Sequence, residues 1–163
     1  MQHLPYLNPL ETTNSERMEA LESLSWSWDL NLDLLSEFAS YLVAYRLTEG
    51  QRLFQEGDTS AFMVFLIHGK VEIRKKRSEN EEILVIRLNE GKVFGEMPLL
   101  DGKSRSASAI VIQDSLVYLL TKEAFLLMKR QHPRLALAIT FKLAKILSLR
   151  LRKTTGEWAG LIR

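Results

Sequence analysis

Residues Phe94–Ala109 read Phe-Gly-Glu-Met-Pro-Leu-Leu-Asp-Gly-Lys-Ser-Arg-Ser-Ala-Ser-Ala, and this order of residue types predicts a binding site. Gly95 lets the backbone adopt an unusual angle or approach a ligand closely, and Glu96 can accept hydrogen bonds from hydroxyl groups. Pro98 suits the first turn of a helix, whose N-terminus attracts anions. Arg105 carries the side chain that best matches two phosphate oxygens at once. A carboxylate for a sugar, with an arginine and backbone amides for a phosphate, indicates a nucleotide pocket.

Taken singly, these fragments also fit a surface loop that a short helix caps. Their order and spacing, with Arg105 nine residues after Glu96, resemble the phosphate-binding cassette of cyclic nucleotide-binding domains. Upstream, Gly50–Asp58 and Phe65–Ile73 are similar to the glycine-punctuated early strands of that family. The resemblance covers approximately residues 30–152 and implies both a fold and a ligand.

The resemblance gives each part of this stretch an expected role. Glu96 is expected to accept a hydrogen bond from the ribose 2′-hydroxyl, and Arg105 is expected to hold the cyclic phosphate. Ser106 and the amides around Met97 and Ala107 would complete the anion site.

The choice of nucleotide and the walls of the pocket also follow from the resemblance. In related domains a threonine at the position of Ser106 favours cGMP, whereas alanine or serine is compatible with cAMP. We therefore expect cAMP to be preferred, although the serine hydroxyl leaves cGMP open. Ile73 and Val85 are expected to form apolar walls for the base. The predicted ligand-binding residues are Ile73, Val85, Phe94, Gly95, Glu96, Met97, Arg105, Ser106 and Ala107.

One position departs from the family pattern. Pro98 stands two residues after the glutamate, where the family usually has alanine or glycine. Proline has no N–H, and in related domains the amide at this position commonly donates to the phosphate. The departure concerns the affinity for the ligand rather than the fold.

Composition and charge narrow the classes of protein that this chain can represent. Of its 163 residues, 46% are hydrophobic and 26% are charged, which is ordinary for a single globular domain. The net charge of +2 is too small to indicate a nucleic-acid partner. There is no cysteine, no signal peptide and no membrane segment, so we expect a cytoplasmic protein. No metal-ligand or catalytic arrangement is recognisable, and we assign no metal, no cofactor, no catalytic residue and no enzyme activity.

The pattern of apolar residues predicts a mainly β fold with helices at both ends, in a single domain of residues 1–163. Residues 1–14 are expected to be a loose lead and residues 15–42 helical, with Trp26 and Trp28 as core or interface residues. Short apolar runs between turns then indicate an antiparallel, jelly-roll-like β-roll of about eight strands over residues 43–120. Two helices are predicted over residues 121–153, followed by a tail over 154–163. The predicted strands are Ala44–Leu47, Arg52–Gln55, Met63–His68, Lys70–Arg77, Glu82–Leu88, Ala107–Gln113 and Ser115–Leu120.

The last helix, predicted from Arg134 to Lys153, carries more apolar residues than one core-facing stripe requires. Either it is deeply buried, or its second face packs against another subunit or against the ligand. In the resembled family, the helix at this position covers the nucleotide base and often pairs between subunits. We therefore expect a homodimer formed through residues 134–153.

The sequence thus predicts a stand-alone regulatory or sensor module that binds a cyclic mononucleotide and acts on an unknown effector protein. Only ten residues follow Lys153, so we expect no DNA-binding domain of the kind that bacterial regulators of this family carry. Two alternatives remain. One is a degenerate roll that ignores nucleotides and serves as a dimerisation or docking module, and the other is a regulatory fragment of a larger enzyme or channel.

Overall fold

The computed structural model describes residues 7–27, 30–79 and 81–161. The strands are β1 (Pro9–Leu10), β2 (Val43–Leu47), β3 (Arg52–Phe54), β4 (Phe62–Ser78), β5 (Glu81–Asn89), β6 (Val93–Phe94) and β7 (Ser108–Thr121). The helices are α1 (Asn14–Glu22), α2 (Leu32–Ser40), α3 (Met97–Asp101), α4 (Lys122–Gln131) and α5 (Pro133–Leu161), with a 3-10 turn at Ser25–Ser27. The predicted class, mainly β with helices at both ends, is confirmed. None of the helices in the described ranges is long and apolar enough to cross a bilayer.

The seven described strands form one antiparallel sheet built around the long pair β4 and β7. The strand order is β1-β2-β7-β4-β5, while β3 also pairs with β7 and β6 also pairs with β4. Along the central pair, Val64 lies opposite Leu119 and Arg74 lies opposite Ser108. The short strands flank both ends of this pair, which gives the predicted roll.

The sequence predicts two breaks between strands, but in the structure each is an irregularity within one continuous strand. The predicted strands Met63–His68 and Lys70–Arg77 are joined in β4. The predicted strands Ala107–Gln113 and Ser115–Leu120 are joined in β7. The register between β4 and β7 shifts around Gly69, which has φ +99°. A Cβ at Gly69 would lie 2.2 Å from Ser115 Oγ, so only glycine allows this close approach. The seven predicted runs thus form five strands, and β1 and β6, which were not predicted, bring the described strands to seven, where about eight were expected.

Both ends of the chain differ from the sequence-based expectation. Part of the predicted lead pairs with β2 as β1, with Pro9 opposite Tyr45, whereas residues 1–6 lie outside the described ranges. The predicted tail from residue 154 is helical, because α5 continues to Leu161. Residues 162–163 also lie outside the described ranges. The assignment of a single domain to residues 1–163 stays a prediction.

Successive side chains of the central strands enter two different hydrophobic clusters. Phe62 and Val64 point into the roll interior, while Met63 and Phe65 pack against the helices. Residues 62–66 of β4 and 117–120 of β7 are thus covered on both faces. This explains why they read as almost continuous apolar runs.

Helix α5 is anchored to the N-terminal helical layer through Lys142. Its Nζ donates a hydrogen bond to the Trp26 carbonyl oxygen at 2.7 Å and lies 5.1 Å from the centre of the Trp26 ring. Burial lowers the pKa of Lys142 from its usual value. The Trp26 ring also contacts Phe65, with centroids 4.9 Å apart, so its predicted core role is confirmed. The companion prediction for Trp28 lies outside the described ranges.

Candidate functional site

A cavity of about 440 Å³ opens between the roll interior, helix α3 and the C-terminal half of α5. Its volume falls within the range of small-molecule sites in proteins, roughly 300–1,000 Å³. One side of the cavity is apolar and borders the hydrophobic cluster in the roll interior. The other side carries charged and hydroxyl side chains. The lining residues are Phe54, Ile73, Val85, Ile86, Leu88, Phe94, Gly95, Glu96, Met97, Pro98, Arg105, Ser106, Ala107, Arg150, Lys153 and Thr154.

The polar side of the cavity is formed by the segment between β6 and β7. The chain leaves β6 at Phe94 and passes Gly95, which has φ +73°. A Cβ at Gly95 would lie 3.0 Å from Arg105 Nη1 and 3.3 Å from Phe54 Cε1. Both the positive φ and the close packing therefore require glycine here. The segment then forms the short helix α3 and returns to β7 through Arg105.

The side chain of Arg105 is held in a defined position by carbonyl groups and aromatic rings. Its Nη1 donates to the Gly95 carbonyl at 2.7 Å and to the Phe62 carbonyl at 3.0 Å. The guanidinium packs against the rings of both Phe54 and Phe62, at 4.0 and 4.1 Å from their centres. Only 3% of Arg105 is exposed. A positive charge in such apolar surroundings interacts strongly with an anion, since little water screens it.

The backbone of Arg105 is fixed by the turn that precedes β4. The Gly57 N–H donates to the Arg105 carbonyl at 2.9 Å, and the Arg105 N–H donates to the Asp58 carbonyl at 2.8 Å. These two bonds explain why Gly57 and Asp58 accompany the cassette in the sequence pattern, although they are distant along the chain.

A second set of contacts braces the segment that follows Arg105. Lys75 Nζ donates to the Ser106 carbonyl at 2.9 Å and to Glu56 at 3.2 Å. Glu56 also accepts from the Lys76 amide at 2.8 Å, and this bond holds the pKa of the Glu56 carboxyl below its usual value. The hairpin of β4 and β5 is thereby tied to the polar side of the cavity.

Glu96 makes a contact that the sequence did not predict. It precedes α3 without capping it, and only 2% of the residue is exposed. Its Oε1 accepts a hydrogen bond from Arg150 Nη1 of α5, and Arg150 Nη2 donates to the Val93 carbonyl, both at 2.5 Å. The far end of α5 is thus attached to the carboxylate that the sequence assigns to a sugar hydroxyl.

The apolar side of the cavity contains an irregularity in β5. Ile73 lies opposite Ile86, and the next residue, Arg74, lies opposite Leu84, so Val85 is an extra residue on β5. Both Val85 and Ile86 line the cavity. A β-bulge changes the direction of side chains along its strand, which explains why two successive residues line the same cavity.

The structure brings all nine predicted ligand-binding residues to this one cavity. Their ligand contacts stay predictions. Sequence reasoning missed Phe54, Ile86 and Leu88 and the three residues from α5, Arg150, Lys153 and Thr154. The α5 residues follow an i, i+3, i+4 spacing, which puts them on one helix face. A polar face at the end of an otherwise apolar helix is the sequence pattern that could have identified them.

Comparisons with known proteins find relatives in sequence and in fold. Residues 45–132, more than half of the chain, match the family model described as cyclic nucleotide-binding domain. A cyclic AMP receptor protein from Thermus thermophilus is 32% identical over 118 residues, which are 72% of this chain and 53% of that protein. This chain therefore spans about half the length of that relative.

Two solved structures are similar to this fold. A crystal structure of a cyclic nucleotide-binding domain from Methylobacillus flagellatus has a TM-score of 0.79 and 22% identity, covering 91% of this chain and 85% of that chain. The crystal structure of Thermus thermophilus catabolite activator protein has a TM-score of 0.73 and 29% identity, covering 83% of this chain and 62% of that chain.

Proposed function

The chain belongs to the cyclic nucleotide-binding domain family, and from this premise we propose that it is a regulatory module that binds a cyclic mononucleotide, with cAMP preferred over cGMP. The observation that carries the proposal is the shared cavity of Glu96 and Arg105, a buried carboxylate and a buried guanidinium next to an apolar wall. A nucleotide needs these three environments for its ribose, its phosphate and its base. A degenerate roll has no need to keep both charged residues buried at one cavity.

The phosphate end of the ligand would lie against Arg105 and Ser106. The fixed guanidinium supplies charge in a direction set by the Gly95 and Phe62 carbonyls. Ser106 is exposed at the cavity and offers a hydroxyl donor. The ribose would lie beside Glu96, and the base would lie against the apolar wall that includes Ile73 and Val85.

Helix α5 would respond to the ligand through Arg150. This side chain is already attached to Glu96 and Val93. A ribose hydroxyl that donates to Glu96 would share this carboxylate with Arg150, whose bond is to Oε1. Ligand binding would therefore change how the end of α5 is held, which is a route for a signal to leave the domain.

Calorimetric titration with cAMP and with cGMP tests the proposal directly. We expect binding of both nucleotides, with the smaller dissociation constant for cAMP. The absence of binding for either nucleotide at millimolar concentration would favour the docking or dimerisation module. Tighter binding of cGMP would contradict the preference while leaving the site in place.

Replacing Glu96 with glutamine is expected to weaken cAMP binding several-fold and to reduce the discrimination against 2′-deoxy-cAMP. A hydrogen bond to a charged group contributes about 1.5–3 kcal/mol, against about 0.5–1.5 kcal/mol for a neutral one. The matched control is Glu90→Gln, because Glu90 lies in the turn between β5 and β6 and is exposed. If the unaltered protein binds the deoxy analogue as well as cAMP, Glu96 is not the ribose ligand.

Replacing Pro98 with alanine is expected to strengthen nucleotide binding up to about tenfold. Pro98 lines the cavity and is buried as the second residue of α3. Alanine restores one N–H near the phosphate, and such a bond contributes about 1.5–3 kcal/mol, less where a water already bridges the gap. The melting temperature should fall slightly, since losing proline costs about 0.4–1 kcal/mol of stability.

The control for Pro98 is Leu100→Ala, which shortens an exposed side chain of the same helix without changing its amides. Calorimetry gives the cAMP dissociation constants of the unaltered chain, Pro98→Ala and Leu100→Ala. Equal or weaker binding by Pro98→Ala would mean that the amide at this position does not contact the ligand.

We also propose that two copies of the chain pair through α5. Five residues on the face of α5 away from the core follow a spacing of four and three residues, which is the pattern of a coiled-coil seam. They are Leu137, Phe141, Ala144, Ser148 and Leu151, and all five are exposed. The opposite face, with Ile139 and Leu143, is buried in the core. The cytoplasmic location and the effector protein stay predictions.

A further inference from the structure

We propose that Met97 is an oxidation site through which peroxide weakens the binding of the phosphate end of the ligand. The inference starts from the distribution of sulfur in the chain, which has no cysteine and five methionines. Met63 and Met128 are fully buried, and Met18 is half-buried. Met97 is 46% exposed, and it lines the cavity. Among the methionines in the described ranges, Met97 is therefore the most exposed residue.

The position of the Met97 sulfur connects it to the proposed phosphate site. Ser106 Oγ donates a hydrogen bond to Met97 Sδ at 3.8 Å. A thioether is a weak acceptor, so this bond leaves the serine hydroxyl easy to redirect toward a phosphate oxygen. Met97 also lies between Glu96 and Pro98, at the start of α3. A chemical change at its sulfur therefore alters the anion-binding end of the cavity.

Oxidation by hydrogen peroxide would change this sulfur from a weak acceptor to a strong one. The sulfur forms a bond to one peroxide oxygen, the O–O bond breaks, and water leaves. The thioether is thereby oxidised by two electrons to a sulfoxide while the peroxide is reduced. The change makes a flexible apolar side chain polar.

The consequence for the ligand follows from the Ser106 contact. The sulfoxide oxygen attracts the serine hydroxyl more strongly than the thioether does, and it carries a partial negative charge. Ser106 is then withdrawn from the phosphate, and a negative dipole faces the anion. This step rests on the proposed function, since it takes the ligand phosphate to lie at Arg105 and Ser106.

The test treats the full chain with hydrogen peroxide and follows each methionine by peptide mass spectrometry. Met97 is expected to oxidise faster than Met18, Met63 and Met128. Calorimetry should then show cAMP binding weakened about tenfold or more, the effect expected when one hydrogen bond to a charged phosphate is lost. Treatment with a methionine sulfoxide reductase and a thiol should restore the original affinity.

Two variants separate Met97 from the other sulfur atoms, including Met1 outside the described ranges. Met97→Leu is compared with itself before and after peroxide, and its affinity should not change on treatment. Met18→Leu should keep the full response to peroxide. Slower oxidation of Met97 than of Met18, an unchanged affinity after oxidation, or an equal loss in Met97→Leu would each overturn the proposal.

Failure of the proposed function is recognisable separately. If the untreated protein binds neither cAMP nor cGMP, the nucleotide function is wrong. Hydrogen exchange of the amides at residues 96–107 then tests the local effect of oxidation. Faster exchange after peroxide, dependent on Met97, would support the site, and unchanged exchange would overturn it.

Discussion

Replacing Arg105 with alanine is expected to abolish measurable nucleotide binding. Removing one partner of a buried, hydrogen-bonded charge pair costs about 2–5 kcal/mol, which corresponds to a factor of roughly thirty to several thousand in affinity. Arg105 is the cation that lines the cavity at its proposed anion-binding end, packed against two aromatic rings. Calorimetry with cAMP measures the effect. The matched control is Lys103→Ala, which removes an exposed cation from the same loop and should leave the dissociation constant unchanged.

The contacts of Arg105 also predict a loss of stability in this variant. Alanine leaves the Gly95 and Phe62 carbonyls without this donor, and it leaves a gap next to the rings of Phe54 and Phe62. Each buried acceptor left without a partner costs about 1–3 kcal/mol. Binding must therefore be measured well below the melting temperature of the variant.

Arg105→Lys supplies a second measurement that keeps the charge. Lysine lacks the planar fork that matches two phosphate oxygens, so we expect binding weaker than with arginine but stronger than with alanine. A folded Arg105→Ala protein that binds cAMP as tightly as the original chain would remove Arg105 from the site.

The sequence predicted those parts of the fold and of the site that depend on neighbouring residues. The positions of β2, β3 and β5 follow from local patterns, and the structure confirms them to within one residue at either end. The segment from Gly95 to Arg105 was recognisable because its glycine, carboxylate and guanidinium lie within eleven residues.

The missed features depend on contacts between distant parts of the chain. Arg150 lies 54 residues after Glu96, and the Phe62 carbonyl lies 43 residues before Arg105. No local pattern records such pairs. Gly69 indicated a turn by residue type, yet its partner strand β7 holds it inside a continuous β4. Pairing with a neighbouring strand thus overrides a local preference for a turn.

The second large effect is expected for Phe141→Glu, which should convert a dimer into a monomer. Phe141 is 62% exposed in the single chain, and it lies in the middle of the stripe from Leu137 to Leu151. Large apolar side chains arranged on one face are rarely left bare, which favours a second copy of α5 as the occupant. Sedimentation at micromolar concentration should therefore show twice the chain mass of 18.8 kDa.

Glutamate at this position acts on the dimer in two ways. It removes the apolar ring from the seam, and the twofold relation brings two carboxylates toward each other there. An unpaired charge buried in an interface costs about 3 kcal/mol or more, so the dimer dissociation constant should rise roughly a hundredfold or more. The folded monomer should keep its melting temperature in dilute solution, because the side chain lies outside its core.

The control for Phe141→Glu is Leu32→Glu, which places the same charge at a position of nearly equal exposure, 63%, on α2. Leu32 is not part of the α5 stripe, and its variant should sediment like the original chain. Dissociation caused equally by both variants would indicate a general effect of charge instead of a specific seam. An original chain that sediments only at 18.8 kDa would contradict pairing through α5, and the exposed stripe would then have to be covered by a different partner.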